Sequence, residues 1–257
     1  MSKSADEPST ADLAVDGTVL RFSTAPVSEV ADTIRSTRPD IWSPVITPNL
    51  HILRVASFDG ALENALACAA ILLPDGWPVA WLLSRATGWK VERATGADLL
   101  ERLLDTPGIG QKLVLVGGSS AESLRVVADR ARSVGWIVDE EPAPPSEVND
   151  LHARRLLVER LSVYGDGGIV VLGLGAPKQE LLAGEIAARP GGGWILCVGM
   201  AINFSAGTHN RAPILVQKAR LEWLYRVAQE PRRLLKRYAR DAVYLAKLAI
   251  SGRKKEK

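Results

Sequence analysis

Between Gln111 and Glu141 the chain reads as an apolar strand ending in glycines (QKLVLVGG), an amphipathic helix (SSAESLRVVADRARSVG) and a second strand (WIVDEE). Two short β-branched runs joined by a helix must lie parallel, because the helix carries the chain back along the sheet. A strand as apolar as KLVLV needs cover on both faces. Ser119 or Ser120 can cap the helix and Gly135 can end it. No other feature restricts the fold so tightly, and the chain repeats it. GGIVVLGLGAPKQELLAGEIAARPGG is again strand, turn and helix, and GWILCVGMAINFSAG adds a strand and a loop.

Upstream, TVLRF and APVSEVADTIRSTRP read as a strand and a helix, and SPVITPN as a strand ending in a loop. LHILRVASFDGALENALACAA is helical with a break near Asp59 and Gly60. AILLPDG is a strand, and WPVAWLLSRATG a helix ended by Gly88. With 257 residues, 47% of them hydrophobic, there is enough material for one large α/β domain. The expectation is a mostly parallel sheet with helices on both faces over residues 17–212. Residues 1–16, acidic and rich in Ser, read as a mobile tail without a signal-type apolar core. No apolar run reaches the roughly 18 residues of a membrane span.

From about residue 213 the texture changes to helical, basic and aromatic. Lys218 to Lys257 holds thirteen Lys/Arg against four Asp/Glu, whereas the whole chain is only +3, so the remainder is net negative. A basic end on an acidic body calls for an anionic partner there. Pro231 separates two helices. Beyond it Leu234, Leu235, Tyr238, Ala242, Leu245 and Leu248 fall on one face, with Lys and Arg largely on the other. That pattern suits either an anionic bilayer surface or ordinary packing with a solvated basic face. Cys68 and Cys197 sit among apolar residues and read as reduced core thiols of a cytosolic protein.

Candidate chemistry collects just beyond the strands. Gly173 and Gly175 form a Gly-x-Gly turn before a helix opening at Pro177, which is either a tight turn or an anion cradle. The third glycine of a dinucleotide fingerprint is absent; Lys178 and Gln179 stand near its place. Asp75, between Pro74 and Gly76, is either turn chemistry or a carboxylate presented at a strand end. Thr47 and Asn49 end the preceding strand likewise, and Arg93 and Thr95 add a cation and a hydroxyl. No Asp-x-Asp, Walker loop, Gly-x-Ser-x-Gly elbow or zinc spacing occurs.

Together, TPN, LLPDGWPVAW, ERATGADLL, VLVGG, GLGAPKQE, AGTHNRAP and RLEWLYRVAQEPRRLLKRY resemble the WecG/TagA/CpsF glycosyltransferases, in order from about residue 44 to 240. The resemblance implies a Rossmann-like core with a helical C-terminal appendage, residues 213–257. It also implies an enzyme needing no metal or other cofactor, peripheral on the inner face of the cytoplasmic membrane. Such enzymes move a hexose-type sugar, such as N-acetylmannosamine or its uronic acid, from a UDP-sugar onto a polyprenyl-diphosphate-linked sugar. By motif, Asp75 matches the catalytic base, Thr47, Asn49, Arg93 and Gln179 the pocket residues, with Gly173 and Gly175 in the turn. Arg226, Arg233 and Arg237 match the appendage cations that meet the leaving diphosphate. Asn203 stands where many members carry Asp, the Pro-rich EEPAPPSEVN is compressed, and Lys236 replaces a common Arg. The expected partners are the donor, the lipid-linked acceptor, an anionic membrane surface and a second copy of the chain, with no nucleic acid. The alternatives are a non-catalytic scaffold at the membrane and another nucleotide-sugar-binding enzyme.

Overall fold

The computed structural model describes residues 9–209, 212, 213, 215, 216, 222–229 and 231–253. In chain order it contains β1 (Thr10–Val15), β2 (Thr18–Ser23), α1 (Val27–Ser36), β3 (Trp42–Ile46), α2 (Leu50–Ala56), α3 (Gly60–Ala67), β4 (Ile71–Leu72), α4 (Trp77–Thr87) and α5 (Gly96–Leu104). Then follow β5 (Lys112–Gly117), α6 (Ala121–Ser133), β6 (Ile137–Glu141), α7 (Pro145–Asn149), α8 (Leu151–Tyr164), β7 (Gly168–Gly173), α9 (Lys178–Ala187), β8 (Gly193–Cys197) and α10 (Ala201–Ser205). The C-terminal part contributes α11 (Glu222–Gln229) and α12 (Pro231–Arg253).

Eight strands form one sheet in the order β1-β2-β4-β3-β8-β7-β5-β6. All neighbours run parallel except the β1–β2 hairpin. The Leu-Val-Leu-Val of β5 and Ile-Val-Val-Leu of β7 are buried on both sides, as their composition requires. One core cluster lies under α2, α3, α4, α8 and α9; the other lies under α1, α5, α6 and α10. The chain therefore leaves β3 and β7 toward one face and β5 and β8 toward the other. Such divergence opens a crevice along the carboxyl edge of the sheet.

Local signals act where expected. Asp59 caps α3 by accepting from Ala61 and Leu62, and Gly88 ends α4 in the left-handed region at φ 81°. Ser120 caps α6 in a reciprocal box with Ser123. Other expectations are corrected. Residues 10–15 are no tail: Ala11, Leu13 and Val15 are buried, and this alternation adds an antiparallel strand to the sheet edge. Residues 1–8 lie outside the described residues. Cys197 is buried, but Cys68 is exposed at the end of α3.

The face of α12 is also revised. Among its described side chains Leu234, Asp241, Tyr244 and Leu248 are buried, whereas Leu235 and Ala242 are exposed. Counting leucines rotates the helix wrongly, because two polar groups are drawn inward by partners. Tyr244 Oη donates to Asp16 Oδ2 at 2.8 Å. Arg54 Nε donates to Asp241 Oδ1 at 2.7 Å.

Candidate active site

Three loops are fastened together beyond β3 and β4. Leu73 N–H donates to Ile46 O at 2.9 Å, Asp75 N–H to Pro48 O at 3.3 Å and Ala94 N–H to Pro74 O at 2.9 Å. These bonds gather Thr47, Asn49, Asp75 and Arg93, which sequence alone left in separate segments, onto one rim. Asp75 is half-buried and immediately precedes Gly76, the N-cap of α4. Asn49 caps α2, its Oδ1 accepting from Ile52 N–H at 3.2 Å. Thr47 is buried and its Oγ1 donates to Cys197 O at 3.1 Å, which ties the rim to the end of β8.

The loops after β5, β7 and β8 form the other part of the edge. Gly173 lies against α10: a Cβ there would stand 2.7 Å from Ile202 Cδ1. Gly175 has open space around it but φ of +75°, a conformation that costs other residues strain. Gln179 is expected to point its amide into the cleft. Instead the side chain is 3% exposed and engaged at both ends. Its Oε1 accepts from Gly199 N–H at 3.0 Å and its Nε2 donates to Glu180 Oε1 at 2.9 Å. Gln179 thus braces the β8 loop from inside, because burial of an amide demands that each end be satisfied. Asn203 does similar work: its Oδ1 accepts from Ser119 N–H at 2.7 Å, holding the β5 loop. An aspartate could accept the same bond, so the Asn keeps the bracing part of that residue's chemistry.

Glu180 carries no local sequence signal that sets it apart from a solvated helix acid. It is fully buried, and its Oε2 has no hydrogen-bond partner. Burial pushes its carboxyl above the ordinary value, and burial, with the Glu180 charge nearby, pushes the Cys197 thiol well up. For a carboxyl raised on folding, stability falls as pH climbs from the ordinary 4.5 through the raised value. Glu180→Gln keeps an acceptor for Gln179 and cannot ionise. The melting temperature of the variant relative to wild type is therefore expected to rise as the pH climbs above the ordinary 4.5. A constant difference as the pH climbs would show that Glu180 ionises in the folded protein as readily as in the unfolded chain.

The C-terminal helices reach this rim. Arg93 Nη1 lies 2.7 Å from Glu222 Oε2 of α11. Trp223 of α11 meets the Tyr238 ring of α12 edge-on, centroids 6.1 Å apart. Asp241 of α12, with a 6% exposed side chain, receives Arg54 at 2.7 Å and faces His51 Nδ1 at 3.4 Å, both from α2. Burial alone would raise the Asp241 carboxyl; the bonds from His51 and Arg54 outweigh it and hold the group below its ordinary value. Arg237 lies 3.7 Å from Asp241 Oδ2 and over the Tyr238 ring. Arg226 and Arg233 belong to α11 and α12, but their side chains lie outside the described residues.

A mostly parallel sheet with helices on both faces defines a doubly wound α/β protein, a class whose ligands generally bind beyond the carboxyl ends of the strands. The chain belongs to the glycosyl transferase WecG/TagA/CpsF family, whose sequence model matches residues 15–257. Membership makes it a glycosyltransferase of cell-surface polysaccharide synthesis, a class that uses nucleotide-sugar donors and lipid-linked acceptors. Among the described residues no helix is long and apolar enough to cross a membrane.

Proposed function

We propose that this chain transfers a hexose-type residue, N-acetylmannosamine or a related sugar, from a UDP-sugar to a polyprenyl-diphosphate-linked sugar with inversion. The observation that carries the reading is the stitching of the Thr47, Asp75 and Arg93 loops by backbone bonds, which supports a half-buried carboxylate and a guanidinium sharing one rim at the carboxyl edge of the sheet. In the proposed reaction the acceptor hydroxyl oxygen attacks the anomeric carbon, Asp75 takes the hydroxyl proton, and the bond to UDP breaks. Negative charge collects on the departing diphosphate. Cations stabilise it, since preorganised charge in a water-poor site acts most strongly where charge develops. Arg93 is on the rim; Arg226, Arg233 and Arg237 come from α11 and α12. The absence of Asp-x-Asp supports a displacement carried by these cations without a bound metal.

Asn49 and Thr47 are assigned to the sugar side of the cleft, and Gln179 to shaping the cleft from behind. We place the enzyme on the inner face of the cytoplasmic membrane through α12. At 100° per residue its solvent side carries an apolar stripe of Leu235, Ala239, Ala242, Val243, Ala246 and Ile250, flanked by Lys236, Arg240 and Lys247. An apolar stripe beside cations suits an anionic bilayer surface. The testing experiment supplies UDP-N-acetylmannosamine and other UDP-sugars together with a synthetic polyprenyl-diphosphate-linked N-acetylglucosamine. UDP release with a matching mass gain on the acceptor is expected for one donor. Release of no UDP from any donor would remove the transfer reading and favour a scaffold.

A further inference from the structure

We propose that Glu222 is a positioning residue for Arg93, and that their ion pair couples the docking of α11 to the orientation of the guanidinium on the loop bonded to the Asp75 loop. This inference rests on the transfer reaction proposed above. Glu222 Oε2 and Arg93 Nη1 are 2.7 Å apart, and both side chains are about a third exposed, at 30% and 29%. The residue after Arg93 donates its backbone N–H to Pro74 O, directly before Asp75. One end of the pair is therefore fixed to the Asp75 loop and the other rides on a separate helix.

An arginine side chain has many rotamers, and a charge-assisted bond to a carboxylate restricts its planar fork. The element carrying that carboxylate is itself anchored. Trp223, next to Glu222, packs edge-on against Tyr238 of α12. Asp241 then joins α12 to Arg54 of α2, the helix that Asn49 caps. The direction in which Arg93 points and the docking of both C-terminal helices thus form one connected arrangement. It begins and ends on the rim of the proposed site.

The pair also makes a prediction about kinetics that differs from simple damage. Glu222 offsets part of the Arg93 charge, so its removal does not weaken attraction for an anionic donor. What is lost is the direction of the fork when charge develops on the leaving group. Turnover then falls while donor KM does not rise, the pattern of an interaction made mainly in the transition state.

The experiment uses the full chain as wild type, Glu222→Gln and Glu222→Asp, with folding checked by circular dichroism. Backbone hydrogen exchange of α11 is measured without substrate. Initial rates are measured with UDP-N-acetylmannosamine and the synthetic lipid-linked acceptor. Glu222→Gln is expected to speed exchange in α11 and to lower kcat about tenfold, equivalent to one weakened charge-assisted bond. Glu222→Asp, which keeps the charge on a shorter arm, is expected to recover part of both. Wild-type kcat in Glu222→Gln would overturn the proposal. So would a lowered kcat with α11 exchange unchanged, or a raised donor KM with kcat intact. If the wild type transfers nothing from any UDP-sugar, the reaction itself is misassigned. The exchange comparison then still decides whether the pair docks α11, and unchanged exchange there overturns it.

Discussion

Asp75→Asn is expected to lower sugar transfer by about 10²–10⁴-fold, the usual contribution of a general base. The substitution keeps the size of the side chain. Asn has nearly the shape of Asp and suits a Pro-x-Gly turn equally well, so the loop keeps its form. The backbone bonds from Asp75 N–H to Pro48 and from Ala94 N–H to Pro74 involve no side chain and survive. A neutral amide, however, has no capacity to take the acceptor proton. The attacking oxygen must then shed it to water in a cleft from which the substrates exclude water. The measurement is UDP release in the presence of the lipid-linked acceptor, alongside thermal melts of both proteins. Transfer close to wild type with an unchanged melt would take Asp75 out of the role of base. A collapsed melt would show that its carboxylate holds the loop instead.

The legible parts of the molecule are those decided by neighbours in sequence. β5, β7 and β8 announce themselves because a strand covered on both faces has to be apolar at every position. Asp59 and Gly88 mark helix ends because capping is a matter of a few adjacent residues. β1 is weaker. Its alternation is short and follows a polar run, and half its side chains face outward at the sheet edge. Tyr244 and Asp241 give no local sign of burial, because Asp16 and Arg54, which satisfy them, are distant in sequence. The site divides along the same line. The positions of Asp75, Asn49 and Thr47 follow from strand ends, which sequence locates. The use of each polar group does not. A glutamine just past a Gly-x-Gly turn reads alike as ligand or brace. Only the approach of Gly199 N–H to Gln179 Oε1 distinguishes the two. Glu222 likewise looks like any acid on a basic helix until Arg93 is seen opposite it.

Replacing Leu235, Val243 and Ile250 together by Glu is expected to abolish binding to anionic vesicles, with at least about a 100-fold fall in partitioning. These three side chains are 62%, 73% and 62% exposed, an unusual placement for large aliphatic groups on one helix. The helix gives its opposite face to the core through Leu234, Tyr244 and Leu248, so the substitutions leave that packing alone. Each aliphatic side chain taken from water contributes about 1.5–3 kcal/mol, and the introduced carboxylates add repulsion from anionic lipid. The flanking Lys236, Arg240 and Lys247 remain, so a purely electrostatic attachment would persist in the variant and weaken with salt. That outcome separates a cationic contact from an inserted stripe. Sedimentation of the free protein separates both from a third arrangement, in which a second copy covers the stripe and the variant loses an oligomer instead of a membrane. On the inserted reading, transfer falls with an acceptor presented in vesicles and stays near wild type with a short-chain acceptor in solution. The apolar stripe then brings the enzyme to its acceptor and takes no part in the displacement. Equal losses with both acceptors would mean that these residues also hold α11 and Arg93 in place.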